Sequence, residues 1–73
     1  MNKKEFMKLA RNVARETNRL NKEVAIECGE KHDRVVLEKT EKNEDGQWEA
    51  FYHDSKTIYF ISEDGTFNYA CSR

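Results

Sequence analysis

The N-terminal third of the chain carries apolar or small residues at the spacing of one helical face. The repeat advances in steps of three and four through Phe6, Ala10, Val13, Thr17, Leu20 and Val24. Such steps are typical of an amphipathic helix with one buried stripe. Asn2 stands at the N-cap position, and Glu5, three residues later, completes a capping box. The pattern therefore predicts a helix over about residues 2–22.

The C-terminal end of this helix has two interpretations. Asn18 and Asn21 are candidate terminators, and after them residues 24–28 alternate in polarity as a half-buried strand does. The competing interpretation continues the helix through this segment and uses Gly29 as its C-cap residue. A helix of that length would also favour self-association. We expect the helix to end near Asn21 or the residue that follows it.

The rest of the chain alternates between segments rich in aromatic and β-branched residues and short polar turns. The strand-like segments are 34–40 (RVVLEKT), 47–52 (QWEAFY), 57–61 (TIYFI) and 66–71 (TFNYAC). Two Asp-Gly dipeptides and the polar residues 53–56 separate the last four blocks, as in hairpins. These features predict an α+β fold in one domain over residues 1–73. An N-terminal amphipathic helix packs on an antiparallel β-meander of four to five strands, over about residues 24–71.

The small size of the chain limits the catalytic machinery that it can hold. A chain of 73 residues buries only about 60% of the surface that its unfolded form exposes. The sequence has neither a nucleophile elbow nor a glycine-rich phosphate loop. Cys28, His32, His53 and Cys71 lack the two close pairs of a structural zinc site. We therefore expect a protein that is not an enzyme and that binds no metal or cofactor.

Cysteine usage and hydropathy indicate a cytoplasmic protein. No run approaches the roughly 18 apolar residues of a membrane span. The first 16 residues lack the continuous apolar stretch and the cleavage site of a signal peptide. Cys28 and Cys71 are too few and too far apart for a disulfide framework. We expect both to be reduced, small and buried.

A near-neutral total charge hides two halves of opposite sign. Residues 1–22 sum to +5 and residues 23–73 to −6. Six helix cations fall within a sector of about 80°, opposite the apolar face. This basic stripe consists of Lys4, Lys8, Arg11, Arg15, Arg19 and Lys22. It is either a solvated face or a surface for an anionic partner such as nucleic acid or an acidic protein. A membrane is disfavoured because the apolar face is needed to cover the sheet.

The acidic half of the chain concentrates its carboxylates in the predicted turns. Glu44 and Asp45 lie in one turn, and Glu63 and Asp64 lie in another. One interpretation is that turns simply favour such residues. The other is that these carboxylates imitate nucleic-acid phosphates and bind a basic groove on another protein. We take the basic stripe and these acidic turns as the candidate binding residues.

In general character the chain resembles small phage-encoded accessory proteins, including those of the anti-CRISPR type. The resemblance lies in a proline-free helix and meander with polarised charge and no catalytic constellation. It implies inhibition by occlusion, in which the protein covers a functional surface of a host nucleic-acid-processing or defence protein. We expect a protein-binding module of this kind. The alternative is a nucleic-acid-binding regulator that contacts phosphates through the basic stripe.

Overall fold

The fold is one long helix followed by an antiparallel sheet. The computed structural model describes the backbone of residues 1–72 and the side chains of residues 1–69. The elements are α1 (Lys3–Cys28), β1 (Val36–Lys42), β2 (Trp48–His53), β3 (Thr57–Ser62) and β4 (Phe67–Ser72). The strands pair in chain order, β1-β2-β3-β4, and every pair is antiparallel. The predicted α+β class and meander are confirmed, with four strands in the described residues.

Helix α1 begins where the sequence predicts. The side chain of Asn2 accepts a hydrogen bond from the Glu5 backbone N–H at 2.8 Å. The Asn2 amide in turn donates to the Glu5 carboxylate at 3.2 Å. The N-cap therefore satisfies one of the free N–H groups that every helix start exposes.

The predicted helix end near residue 22 is wrong, because α1 continues to Cys28. Gly29 follows in the left-handed conformation at φ 70°, and the next N–H donates to the Ala25 carbonyl at 2.8 Å. This arrangement closes the last helical turn in the manner of a glycine C-cap. Residues 24–28 are therefore helical and form no strand. The expectation of a buried cysteine also fails at Cys28, which is exposed at the helix end, whereas the Cys71 side chain lies outside the described residues.

Strand β1 starts two residues later than predicted, at Val36 instead of residue 34. The cause is Val35, which is 4% exposed and packs in the core. Its N–H donates to the Asn18 side-chain oxygen at 2.7 Å, and its carbonyl accepts from the Asn18 amide at 2.8 Å. The helix side chain thus takes the place of a strand partner at this position.

The core lies between the first half of α1 and the two nearest strands. Phe6 and Ala10 of the helix pack with Val35, Ala50 and Tyr52. The Tyr52 hydroxyl donates to the Ala10 carbonyl at 2.9 Å, so this buried phenol is satisfied. The α-carbons of α1 approach those of β1 and β2 but, in the described chain, not those of β3 or β4. The helix therefore covers one half of one sheet face.

The far end of the predicted apolar stripe stays in solvent. Leu20 is 52% exposed and Val24 58%. A helix of 26 residues is about 39 Å long, whereas six-residue strands span only about 20 Å. The helix consequently extends past the sheet, and the molecule measures 42 × 24 × 17 Å.

Candidate functional site

A groove between α1 and β1 brings together basic side chains from the helix and from the segment that leads into the strand. It encloses about 490 Å³ and is open along one side. Arg11 and Arg15 come from the helix wall, and Arg34 precedes the strand on the opposite wall. The remaining lining residues are Ala14, Asn18, Val35, Val36 and Leu37. We call this concavity the arginine groove.

The fold fixes the width of the arginine groove at its inner end. The two hydrogen bonds between Asn18 and Val35 tie the helix to the residue that leads into β1. Ala14, one helical turn earlier, is too small to fill the space above the strand. These two hydrogen bonds therefore fix the position of the helix backbone that carries the groove arginines.

The strand wall of the groove is an edge of the sheet. β1 pairs with β2 on one side, and its other side has no partner in the described residues. An edge strand presents outward N–H and C=O groups that can pair with another extended chain. The arginine groove therefore combines backbone hydrogen-bonding capacity with positive charge.

The guanidinium groups of the groove carry no carboxylate partner within the described chain. Arg15 donates to the side chain of Asn12, which is neutral. Arg11 and Arg34 form no ion pair with any described acidic side chain. Three like charges around one concavity repel one another slightly. A bound carboxylate or phosphate would relieve this repulsion and accept bidentate hydrogen bonds.

The structure divides the predicted basic stripe into parts with different surroundings. Arg19 is neutralised locally, because it bonds the Glu16 carboxylate at 3.0 Å and the Glu23 carboxylate at 3.2 Å. The hydrogen bond to Glu16 and the charges of both acids raise the pKa of Arg19 above its ordinary value. Lys22 is exposed beyond the groove.

The remaining stripe cations continue from the arginine groove toward the start of α1. They border a shallow concavity of about 560 Å³. Its lining consists of Lys3, Lys4, Met7, Lys8 and Arg11. Arg11 lines both concavities, so positive charge runs without a break along this side of the helix.

One of the two acidic turns uses its carboxylates in local hydrogen bonds and an ion pair. Glu63 accepts from the Trp48 N–H at 3.1 Å and pairs with the Met1 amino group at 3.0 Å. These two contacts hold the pKa of Glu63 below its ordinary value. Asp64 accepts from the Thr66 N–H at 2.9 Å, and the Thr66 hydroxyl and N–H lower its pKa.

The other acidic turn leaves its carboxylates in solvent. Glu44 and Asp45 are exposed in the connection between β1 and β2. In this meander the turns after β1 and after β3 lie at the same end of the sheet. The structure thus brings the four predicted acids to one end of the molecule, where two of them stabilise turns.

The potential metal ligands are dispersed among the described residues. No three of the His, Cys, Asp and Glu side chains in the described residues are placed to hold a metal ion. His53 faces the Glu38 carboxylate at 3.8 Å. Cys28 is exposed at the end of α1. The Ser55 hydroxyl donates to the Asp33 carboxylate at 2.8 Å, and both residues line an open concavity together with His32.

Sequence reasoning missed Arg34 and the role of Asn18. The position of Arg34 at the start of a predicted strand was visible, but its closeness to Arg11 and Arg15 depends on long-range packing. Asn18 was interpreted as a helix terminator, whereas its amide binds the Val35 backbone. An asparagine on the edge of an apolar helical stripe can serve either purpose.

Comparison with protein families, with curated proteins and with solved structures finds no match. Among the described residues, no helix combines the length and the apolar character that crossing a bilayer requires. The chemistry of the arginine groove is therefore the basis on which a function can be argued.

Proposed function

We propose that the protein is a non-catalytic protein-binding module that takes an extended acidic segment of a partner into the arginine groove. One observation supports this most directly. Arg11, Arg15 and Arg34, without carboxylate partners in the described chain, surround a groove whose wall is an edge strand. The groove offers an extended chain both backbone pairing and opposite charge.

The edge strand would supply affinity that does not depend on partner sequence. An incoming strand pairs with the outward N–H and C=O groups of β1 along Val36–Lys42. Its side chains alternate between the groove and solvent. Residues that point inward enter the groove that Ala14 and Leu37 line between the arginines.

The arginines would supply specificity for acidic partners. A guanidinium fork binds a carboxylate through two parallel hydrogen bonds, and each charge-assisted bond is worth about 1.5–3 kcal/mol. Opposite charge also accelerates encounter, whereas a basic segment would be repelled. Acidic residues at alternate positions of the partner strand would face the arginines.

Such a module would act by occupying a surface of its partner. The resemblance to small phage-encoded accessory proteins of the anti-CRISPR type leads us to propose inhibition by occlusion in the cytoplasm. The occluded partner is a host nucleic-acid-processing or defence protein that presents an acidic extended segment. The exposed acids Glu44 and Asp45 form a second candidate contact, directed at a basic surface.

The test uses a fluorescently labelled ten-residue peptide in which Glu alternates with Val, measured by anisotropy at low and at physiological salt. Arg15→Glu and Arg34→Glu should each weaken binding about tenfold or more, because each replaces an attraction by a repulsion. Lys22→Glu is the matched control, since it makes the same kind of charge reversal on the same helix outside the groove. Equal losses in all three variants, or no binding of the peptide, would refute the groove as its site.

A second candidate function is nucleic-acid binding through the basic stripe. The observation that favours it is the unbroken positive surface from Lys4 and Lys8 to Arg15, which extends over about 17 Å of helix. Such a row would contact successive phosphates without reading sequence.

The two candidates separate in one further assay with labelled single- and double-stranded DNA and RNA. Nucleic-acid affinity should fall steeply with salt and should be lost when Lys4 and Lys8 are both replaced by Glu. Those two residues line no part of the arginine groove, so the same double variant should retain most of its peptide affinity. If the double variant loses peptide binding and retains nucleic-acid binding, the peptide does not bind in the groove and the nucleic acid does not bind through these two lysines.

A further inference from the structure

The half of the helix-facing side of the sheet that β3 and β4 form is only partly covered within the described chain, because Tyr59 and Ile61 pack against the core whereas the β4 rings remain exposed. Tyr59 and Ile61 of β3 lie on this side with Phe67 and Tyr69 of β4, as their register with Ala50 and Tyr52 shows. Phe67 is 50% exposed and Tyr69 69%. The two rings contact each other edge to face, with centroids 5.2 Å apart.

The edge of α1 on the side of β3 is also apolar and exposed, over the sheet at Leu9 and beyond its end at Leu20 and Val24. Leu9, Leu20 and Val24 fall within a sector of about 60° on the helical wheel. Their exposures are 45%, 52% and 58%. A cleft of about 180 Å³, lined by Leu9 and Val13 on one side and Ile61 and Gly65 on the other, joins the helix edge to β3.

We call these two features together the open apolar surface. It consists of Leu9, Leu20, Val24, Phe67 and Tyr69. Large contiguous apolar patches are unusual on monomeric soluble proteins and mark contact sites. The arginine groove lies on the opposite side of α1, so the two surfaces do not overlap.

The molecule exposes more surface than a compact monomer of its mass. The accessible area is 5459 Å², whereas a compact monomer of 8.7 kDa exposes roughly 4,700 Å². The excess of about 700 Å² is close to the roughly 800 Å² that each partner buries in a stable interface. The radius of gyration, 13.2 Å, likewise exceeds the roughly 11 Å of a compact domain of this length.

We propose that the open apolar surface is covered by a second copy of this chain in a two-fold homodimer. The surface holds an exposed helix edge and a partly covered half-sheet, and these elements complete each other. A two-fold axis places the helix edge of each copy on the half-sheet of the other, so every contact occurs twice. Helix-on-sheet packing is the arrangement that already stabilises the covered half of the same sheet.

The dimer leaves both arginine grooves open. Each copy would then bring an independent groove to a partner, and a partner with two acidic segments would gain from bivalency. Dimerisation itself does not require the proposed peptide function, and its test uses no ligand.

The experiment is sedimentation velocity of the full chain from about 1 µM to about 500 µM, a range that spans moderate dimer affinities, in reducing buffer so that exposed Cys28 forms no crosslink. The expected result is a shift from a mass of 8.7 kDa to twice that mass as concentration rises. Leu20→Glu and Phe67→Glu should each weaken the dimer on the order of 100-fold, because each buries two unpaired carboxylates.

Ile26→Glu is the matched control. Ile26 is 70% exposed on the same helix but projects from the side opposite the open apolar surface, so its variant should dimerise as the wild type does. Circular dichroism establishes that each variant is folded, and Val24→Glu replaces Phe67→Glu if the strand substitution unfolds the protein. A mass of 8.7 kDa throughout would overturn the proposal and leave the surface to another partner. A dimer that persists in both Leu20→Glu and the second variant would also overturn it and place the contact elsewhere, such as at an edge strand.

Discussion

The two halves of α1 carry one apolar pattern, but it is buried in the first half and exposed in the second. Phe6 and Ala10 in the first half are 3% and 2% exposed. In the second half the same repeat continues through Leu20 and Val24, and both remain more than half exposed. The difference teaches that periodicity reports which side chains share a face, whereas the length of the opposing sheet decides how many are buried.

Each half is held by a different kind of interaction. The first half rests on apolar packing and on the bond from Tyr52 to the Ala10 carbonyl. The second half is held by Asn18, which binds the Val35 backbone, and by the glycine turn at Gly29. Only Ala25 is buried there, at 9% exposure. We therefore expect the second half to contribute less to the free energy of unfolding.

The largest expected contrast comes from truncating one apolar side chain in each half. Phe6→Ala should lower the free energy of unfolding by about 3–5 kcal/mol, because it opens a cavity against Ala50 and Tyr52. Leu20→Ala should change it by less than about 0.5 kcal/mol, since the side chain is half in solvent. Urea unfolding followed by circular dichroism, at a dilution where the protein sediments as a monomer, measures both. Similar losses in the two variants would show that the second half is packed.

This contrast also marks where sequence reasoning succeeded. The N-cap at Asn2 and the two Asp-Gly turns depend on neighbours within a few residues, and the structure places them as predicted. The sheet order follows from short connections. Alternation along the segment QWEAFY places Ala50 and Tyr52 on one face of the strand, and in the structure both are buried.

Features that depend on distant residues were not predictable in the same way. The polarity pattern of residues 24–28 fits a strand or a helix end equally well. The segment is helical because Gly29 ends the helix and the loop after it returns over Ala25. The stripe of cations was visible as a set, but the sequence could not show that Arg19 pairs with Glu16 and Glu23. Nor could it show that Arg34 completes a groove.

The next largest effect on the free energy of unfolding is expected at Asn18, where the two halves of α1 meet. Asn18→Ala removes both partners of the Val35 backbone, whose residue is 4% exposed. Each buried group left unsatisfied costs about 1–3 kcal/mol, so we expect a loss of about 2–4 kcal/mol in the free energy of unfolding. The same substitution should widen the arginine groove and weaken binding of the acidic peptide.

Asn21→Ala is the matched control for this junction. Asn21 is exposed and makes no side-chain hydrogen bond within the described residues, and its replacement gains the same small helix propensity. The free energy of unfolding of the Asn21→Ala variant should stay within about 0.5 kcal/mol of the wild-type value. If both alanine variants lose equal stability, the bonds to Val35 are not what holds the second half of α1 against the sheet.

The smallest effect concerns the anchor of the first half and depends on pH. Burial raises the pKa of Tyr52 to about 12, and the neighbouring Tyr59 adds to the shift. Between the ordinary value near 10 and this one, the unfolded chain loses the Tyr52 proton while the folded chain keeps it. The unfolded state then binds fewer protons, so stability falls as pH rises through this window.

Tyr52→Phe separates this titration from the other groups that ionise in alkali. At pH 8 the variant should be about 1 kcal/mol less stable, because the hydrogen bond to the Ala10 carbonyl is gone. Toward pH 12 the wild type should lose about 2 kcal/mol more than the variant, so the order of stability reverses. Urea unfolding at stepped pH measures the difference, with Tyr69→Phe as the exposed-ring control. Parallel curves for wild type and Tyr52→Phe would mean that this phenol is open to solvent, and the packing that distinguishes the first half of α1 would have to lie elsewhere.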